Sequence, residues 1–433
     1  MHEEQSSSSS SCGVQLLPRG AHALLPRAIL PLPHDAQIAL ISGARDTKPV
    51  NGLTHCHYNY PARFSPRMVG QIIETFTRAG DLVFDPYVGG GTTLVEAFAR
   101  GRRAIGSDIS TLAAFVARAK LLVLDPRSAE LFKVAIRGVV SKIQMNLPEP
   151  SFDDWAQLGY FRNLGSKNRW RLRKAIAQAI AAIEQLGEPD VESLARCAVL
   201  RTSHWALDGR KQLPTTDEFR AMLESSASSI ADGAVELYEA TVGNGISPPQ
   251  VLNKSIIGID EEASLKTNAP RLIVTSPPYP GVHVLYHRWQ VDGRKESPAP
   301  FFIAKALDGS GETYYTMGGR SKPGLPTYFS QLDAGLRSLA AIADPDTTLV
   351  QIVAFAEPEW QLEKYLSVAA DAGWEEFRLS ELRAEGDGRL WRDVPNRKWH
   401  ANARGKTGGA REVVLFHRLF REVEIKGSPP KGF

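Results

Sequence analysis

From residue 54 onward, short apolar runs alternate with stretches in which apolar residues recur at helical spacing. Ser65 to Phe76 places Met68, Val69, Ile72, Ile73 and Phe76 at that spacing, with Pro66 at a first-turn position and Ser65 as a candidate cap. After a turn at Gly80-Asp81, Leu82 to Asp85 reads as a short buried strand. A glycine-rich turn follows at Gly89 to Gly91, then an amphipathic helix from Thr92 to Arg100 that Gly101 stops. A second strand, Arg103 to Gly106, leads to Asp108. Strand, glycine loop, helix, strand and acid, in that order, form the opening half of a doubly wound nucleotide-binding sheet.

Residues 111–245 read almost entirely as helix, with candidates at Ser128 to Met145, Lys167 to Gln185, Val191 to Ala206 and Asp217 to Val242. Strand pattern returns at Val251 to Ile257 and Arg271 to Thr275. The chain is irregular from Tyr279 to about Lys322. Regular pattern then resumes as helix (Tyr328 to Ala343), strand (Thr348 to Ala354), helix (Trp360 to Ala372) and strand (Arg411 to His417). The expected fold is α/β: a Rossmann-like doubly wound sheet interrupted by a large helical insertion. The expected divisions are an N-terminal arm over 1–50, partly disordered around the serine run Ser6 to Ser11, and a first half of the α/β domain over 51–125. The helical insertion follows over 126–245, the second half of the domain over 246–420, and a tail over 421–433.

Composition changes this picture little. The 433 residues are 43% hydrophobic and 23% charged, which suits a globular chain with a normal core. A net charge of +3 is too small to imply a polyanionic partner by itself, so any case for nucleic acid rests on local patches. Cys12, Cys56 and Cys197 form no CxxC pair, so neither a disulfide framework nor a zinc site is read, and free thiols point to a reducing cytosol. There is no apolar stretch of membrane-spanning length and no secretory leader, so a cytoplasmic protein without a membrane partner is expected.

Two motifs carry chemistry. In Asp85-Pro86-Tyr87-Val88-Gly89-Gly90-Gly91-Thr92-Thr93, the glycines let the backbone pass close to a bound cofactor, and the following helix offers free N–H groups to a carboxylate. Asp108, ending the next strand, is suited to accept both ribose hydroxyls of an adenosine-type cofactor. The second motif is Thr275-Ser276-Pro277-Pro278-Tyr279, after a buried strand. Its prolines cannot continue a ladder and stiffen a turn. The Ser276 hydroxyl and the Pro277 carbonyl are then candidate acceptors for an NH2 group, and Tyr279 offers a ring for a stacked base. The ends of strands one and four of a doubly wound sheet flank the same crevice, so the motifs are expected to meet there.

Tyr87, Gly89 and Gly91 resemble the F-x-G-x-G cofactor motif of the DNA amino-methyltransferases, flanked by Asp85-Pro86 and Thr92-Thr93 as in that family. Thr275 to Tyr279 resembles the family's catalytic D/N/S-P-P-Y/F motif, in the serine form typical of enzymes acting on N4 of cytosine. His57 to Ile73 resembles the family's helix that covers the methionine end of the cofactor. The likeness covers about residues 54–120 and 250–290, and more weakly the strands to 417. It implies S-adenosylmethionine as cofactor, held by Asp85, Tyr87, Gly89, Gly91, Thr92, Thr93 and Asp108. It implies catalysis at Ser276, Pro277, Pro278 and Tyr279, and double-stranded DNA as substrate with a flipped-out base. A cognate restriction enzyme is a candidate partner. The sequence departs from the common pattern in placing the cofactor motif first and a long helical insertion before the catalytic one. Either that insertion or a basic C-terminal segment would read the DNA.

The aromatic-basic stretch Tyr286 to Arg294 offers Arg288 and Arg294 to phosphate. The basic segment Arg392 to Arg411 offers Arg397, Lys398, Arg404 and Lys406, and the run Lys167 to Lys174 is a second basic patch. His283 and His287, like His55 and His57, lack a third ligand, so no metal is assigned. Three other readings stay open: the same chemistry on N6 of adenine, an RNA methyltransferase acting on guanine N2, and an inactive DNA-binding subunit.

Overall fold

The computed structural model describes residues 28–58, 64–150, 153–166, 169–280, 288–293, 295–309, 315, 317–318, 324–393 and 411–420. Its strands are β1 (Ala28–Ile29), β2 (Leu82–Asp85), β3 (Arg103–Ser107), β4 (Gln250–Leu252), β5 (Leu272–Thr275), β6 (Trp289–Asp292), β7 (Lys295–Ser297), β8 (Thr348–Val353), β9 (Trp374–Arg378), β10 (Leu390–Asp393) and β11 (Arg411–Leu419). Its helices are α1 (His34–Arg45), α2 (Pro66–Phe76), α3 (Thr92–Ala99), α4 (Thr111–Leu121), α5 (Pro126–Ser141), α6 (Asp153–Gln157), α7 (Trp170–Ile183), α8 (Pro189–Leu207), α9 (Thr216–Thr241), α10 (Ala263–Lys266), α11 (Ala299–Ile303), α12 (Gly324–Ile342) and α13 (Pro358–Asp371).

The main sheet runs β4-β3-β2-β5-β8-β11-β9-β1, with β10 beside β11. It is parallel from β4 to β8, while β11 is antiparallel to both β8 and β9. This is the α/β doubly wound sheet the pattern implied. The strand order reverses between β2 and β5, which pair directly through Val83–Leu272 and Phe84–Ile273. A ligand crevice opens at such a reversal, outside the carboxyl ends of the strands.

Burial of both faces explains the apolar runs in the central strands. Val83, Leu272, Val274, Val350 and Ile352 pack into one core with residues of α1, α2 and α3. Their neighbours Leu82, Phe84, Ile273, Leu349 and Val353 point the other way, into a core shared with α12 and α13.

A third core unites α4, α5, α7, α8 and α9. Asp125 caps α5 by accepting from the N–H groups of Arg127 and Ser128, and Thr215 and Glu218 form a capping box at α9. The helical part is not closed in sequence, because Trp289, Val291, Phe301, Phe302, Ile303 and Tyr315 lie in its core. The β6–β7 hairpin and α11 thus join the helices, although they follow the Thr275 to Tyr279 motif in the chain. Leu237 of α9 reaches the core beneath the sheet, so the insertion is packed onto the α/β domain.

Several local expectations change. The arm expected over 1–50 enters the fold at Ala28: β1 pairs with β9, and α1 contributes Leu40 and Ala44 to the core. A strand of two residues gives no readable alternation. The strand read over Val251 to Ile257 is only the three residues of β4, and the strands β9 and β10 went unread. Ser65 stands at the N-cap of α2 without a side-chain capping bond, and its carbonyl accepts from Val69. Among the described residues, no helix is long and apolar enough to cross a membrane.

Candidate active site at the crevice between β2 and β5

The glycine loop leaves β2 at Asp85, whose side chain is buried. Asp85 Oδ1 accepts from the Tyr87 N–H at 3.1 Å, and Oδ2 accepts from the Thr93 hydroxyl at 2.6 Å. A third donor, the Thr275 hydroxyl at the end of β5, reaches Oδ1 at 3.0 Å. One carboxylate therefore ties the loop, the start of α3 and the second motif together. Burial pushes this carboxyl up to about 7, against the pull of its three donors.

Gly91 takes a left-handed conformation with φ +78°, and a Cβ there would lie 3.0 Å from the Ala117 Cα. Both the conformation and the close approach exclude a side chain. The loop is held against β3 by the bond from the Val88 N–H to the Ser107 carbonyl, 2.9 Å. Gly106 sits beneath it, where a Cβ would come within 2.7 Å of Val88. Its importance leaves no mark in the sequence, since the motif ends before it.

Asp108 stands beside the loop. Its Oδ2 accepts from the Gly89 N–H at 3.0 Å and its Oδ1 from the Ser110 N–H at 2.9 Å. Burial raises its carboxyl to about 6. Asn253, following β4, donates to the Asp108 carbonyl at 2.8 Å and holds the strand end in place. These residues fit an adenosine-type cofactor. The turn has no room for a Cβ at Gly91, a helix begins behind it, and a half-buried carboxylate ends the neighbouring strand. Not every residue of the motif faces such a ligand with its side chain. Asp85 and Thr93 are spent on each other, and Thr92 is buried. Tyr87 is partly buried, and its hydroxyl donates to the Met317 sulfur at 3.5 Å.

In the second motif, Pro277 is buried, Ser276 and Pro278 are half-buried, and Tyr279 is 9% exposed. Ser276 donates to the Tyr279 oxygen at 3.2 Å, and Tyr279 donates to Glu412 of β11 at 2.6 Å. Tyr328 of α12 donates to the Pro278 carbonyl at 2.9 Å. Among the described residues the Pro277 carbonyl accepts no hydrogen bond. The Tyr279 ring packs into the core that holds Val413 and Leu415 of β11. Glu412, Tyr328, Asn253 and Gly106 were not found by sequence reasoning. Glu412, Tyr328 and Asn253 act through fold neighbours far away in the chain, and only an acid among the apolar residues of β11 hinted at Glu412.

The basic candidates fare unevenly. Arg288 is paired with Asp308 at 2.7 Å. In the run 167–174, Arg169 meets Asp292 at 3.4 Å, Arg173 meets Glu149 at 3.0 Å, and Lys174 donates to the Met145 carbonyl. Arg171 is exposed and lies over Trp170. Arg294, Arg397, Lys398, Arg404 and Lys406 lie outside the described residues, as do His283 and His287. His55 is buried and bonded to Glu96 at 2.6 Å, and His57 is fully buried. Among the described residues no group of His, Cys, Asp and Glu could hold a metal ion.

Residues 38–115 match the family model of N6/N4 DNA methylases, described as DNA methylase. A stretch of 118 residues, 27% of this chain, is 29% identical to the type II methyltransferase M.MjaII of Methanocaldococcus jannaschii, covering 22% of that protein. Another of 77 residues, 17% of the chain, is 34% identical to the type II methyltransferase M.MvaI of Kocuria varians, covering 17% of it. The chain thus spans only about a fifth of the length of the curated relatives it matches. Among solved structures, an rRNA methyltransferase, aviRa from Streptomyces viridochromogenes, overlays 83% of this chain and 87% of its own at a TM-score of 0.31 and 12% identity.

Proposed function

We propose that this chain is a DNA amino-methyltransferase, a reading supported by the family match over residues 38–115 and by the two type II methyltransferases it resembles, that it methylates the exocyclic amino group of a base in double-stranded DNA, and that the base is cytosine, modified at N4. The observation that carries the reading is the 3.0 Å bond from Thr275 to Asp85, which joins the glycine loop directly to the Ser-Pro-Pro-Tyr turn.

S-adenosylmethionine, the family's methyl donor, supplies an electrophilic methyl group on sulfonium sulfur. The protein's own work is to bind, orient and exclude water. Asp108 is the acceptor for the ribose hydroxyls, and the turn at Gly89 to Gly91 admits the cofactor close to the backbone. The amino nitrogen of cytosine is a poor nucleophile because its lone pair is conjugated into the ring. Acceptance of its two protons by the Ser276 hydroxyl and the Pro277 carbonyl favours a more tetrahedral nitrogen, whose lone pair then points along the line of transfer. Positioning of this kind and desolvation account for most of the catalysis. The base has to leave the duplex to reach the crevice, and Tyr279 offers it the uncovered part of a ring.

Ser276 is the residue that favours cytosine N4 over adenine N6. The helical part and the basic segment Arg392 to Arg411 are the candidates for reading DNA, and a companion restriction enzyme is the candidate partner. The test is mass spectrometry of nucleosides from DNA of cells expressing the protein. N4-methylcytosine is expected. N6-methyladenine would move the target to adenine, and neither would overturn the reading.

A further inference from the structure

Glu412, the second residue of β11, is 7% exposed and in register with Arg392 of β10. The Arg392 Nε lies 3.8 Å from Glu412 Oε2. The contact of Glu412 with Tyr279 is tight. At 2.6 Å it falls in the range of charge-assisted O–H···O⁻ bonds, roughly 2.5–2.7 Å. A carboxylate accepts and cannot donate. The Tyr279 proton is therefore committed to Glu412, and the phenolic oxygen is left to accept from Ser276, as it does at 3.2 Å. The Ser276 oxygen, with its own proton turned inward, keeps lone pairs for a group in the crevice. One buried acid thus sets the direction of every hydrogen bond in the chain Ser276, Tyr279, Glu412.

Resting on the methyltransferase reading of this site, we propose that Glu412 is a positioning residue for the transfer: through Tyr279 it holds Ser276 as an acceptor toward the substrate amine, and it receives along that chain the proton the amine gives up. The nitrogen lone pair forms the new N–C bond while the C–S bond breaks with its electron pair staying on sulfur. The nitrogen then passes its extra proton to Ser276, the Ser276 proton moves to Tyr279, and the Tyr279 proton moves to Glu412 Oε1. In sum, one methyl group goes from sulfur to nitrogen and one proton from the amine to Glu412, which releases it to water. Hydrogen bonds that are long in the resting site tighten when the reacting group is in place.

The experiment compares the full chain with Glu412→Gln, Tyr279→Phe and the double variant. Its readouts are single-turnover transfer of labelled methyl to DNA at a series of pH values, cofactor affinity by calorimetry, and melting temperature. The glutamine amide keeps the shape but can donate to Tyr279, reversing the chain. Each single variant is expected to lose about 10²-fold in transfer rate, the low end for acid–base groups. Cofactor affinity is expected to stay unchanged. The rate of Glu412→Gln should climb with pH where the unmodified chain levels off, because hydroxide takes over as proton acceptor. The double variant should be no slower than the slower single, since both break one chain. Rates equal to the unmodified chain, losses that multiply in the double variant, or an unaltered pH profile would each overturn the proposal while leaving the methyltransferase reading intact. No label on any nucleoside with the unmodified chain would overturn that reading and the relay with it.

Discussion

Thr275 and Asp85 are 190 residues apart in the chain and joined by a 3.0 Å hydrogen bond at the bottom of the crevice. Asp85 ends β2 and Thr275 ends β5, the strands on either side of the reversal in strand order. The same carboxylate holds Thr93 at the start of α3. Ser276 follows the joint by one residue, so the glycine loop and the second motif are tied together there.

Thr275→Val removes one of the three donors to Asp85 at nearly constant volume. A loss of about 1 kcal/mol in stability is expected for the missing bond. Transfer should slow by more than that stability change, since a displacement of the reacting groups by about 1 Å costs up to about 10²-fold. Thermal melts and single-turnover assays check this together, and an unchanged rate would show that the joint does not position Ser276.

Ser276→Ala deletes the proposed acceptor for the amine and leaves the backbone turn intact. Transfer is expected to fall by about 10²-fold or more, with cofactor affinity preserved. Full activity in the alanine variant would remove Ser276 from the catalytic assignment.

Asp108→Ala should act on binding. Hydrogen bonds to a charged group contribute roughly 1.5–3 kcal/mol, so the cofactor is expected to bind about 10- to 100-fold more weakly. Calorimetric affinity equal to that of the unmodified chain would sink the ribose role.

Gly91→Ala forces a side chain into a left-handed turn and against the Ala117 Cα at 3.0 Å. A destabilisation of about 1–3 kcal/mol is expected, with cofactor affinity lost as the loop shifts. A variant with the original melting temperature and affinity would contradict the close approach.

Stability should also depend on pH through the buried acids. Burial raises Asp85 to about 7 and Asp108 to about 6 from an ordinary 3.8. The native state thus holds protons that the unfolded chain has already released. The stability these two groups contribute is full below the ordinary value and is lost as pH rises through 6 and 7. Asp85→Asn cannot titrate, so its melting temperature should change less over this interval than that of the unmodified chain. Parallel pH dependences in the two proteins would count against a proton on Asp85.

Much of this was legible because it is local. The strand Leu82 to Asp85, the glycine turn, α3 and the acid at 108 follow one another within a short stretch, and each announces itself by apolar run, φ-permissive residue or helical period. The long helices of the insertion were legible too, through their sustained periodicity. By contrast β1, with two residues, is too short for a period to register, and β4, with three, was read as running on to Ile257. The place of Trp289 and Phe301 in the helical core could not be read either, since nothing local says which of two cores an apolar segment will join.

The sequence by itself determined the two motifs, the acid between them and the kind of sheet that would carry them, because those properties reside in neighbouring residues and their backbone preferences. Only the tertiary structure decided what the motif residues do. Asp85 and Thr93 look inward and lock the loops, and Tyr279 is held by its hydroxyl to a glutamate on the last antiparallel strand. The physical reason is that a hydrogen bond needs two partners within about 3 Å. Which partner stands there is set by the order of strands in the sheet, and strand order brings together residues that the chain keeps far apart.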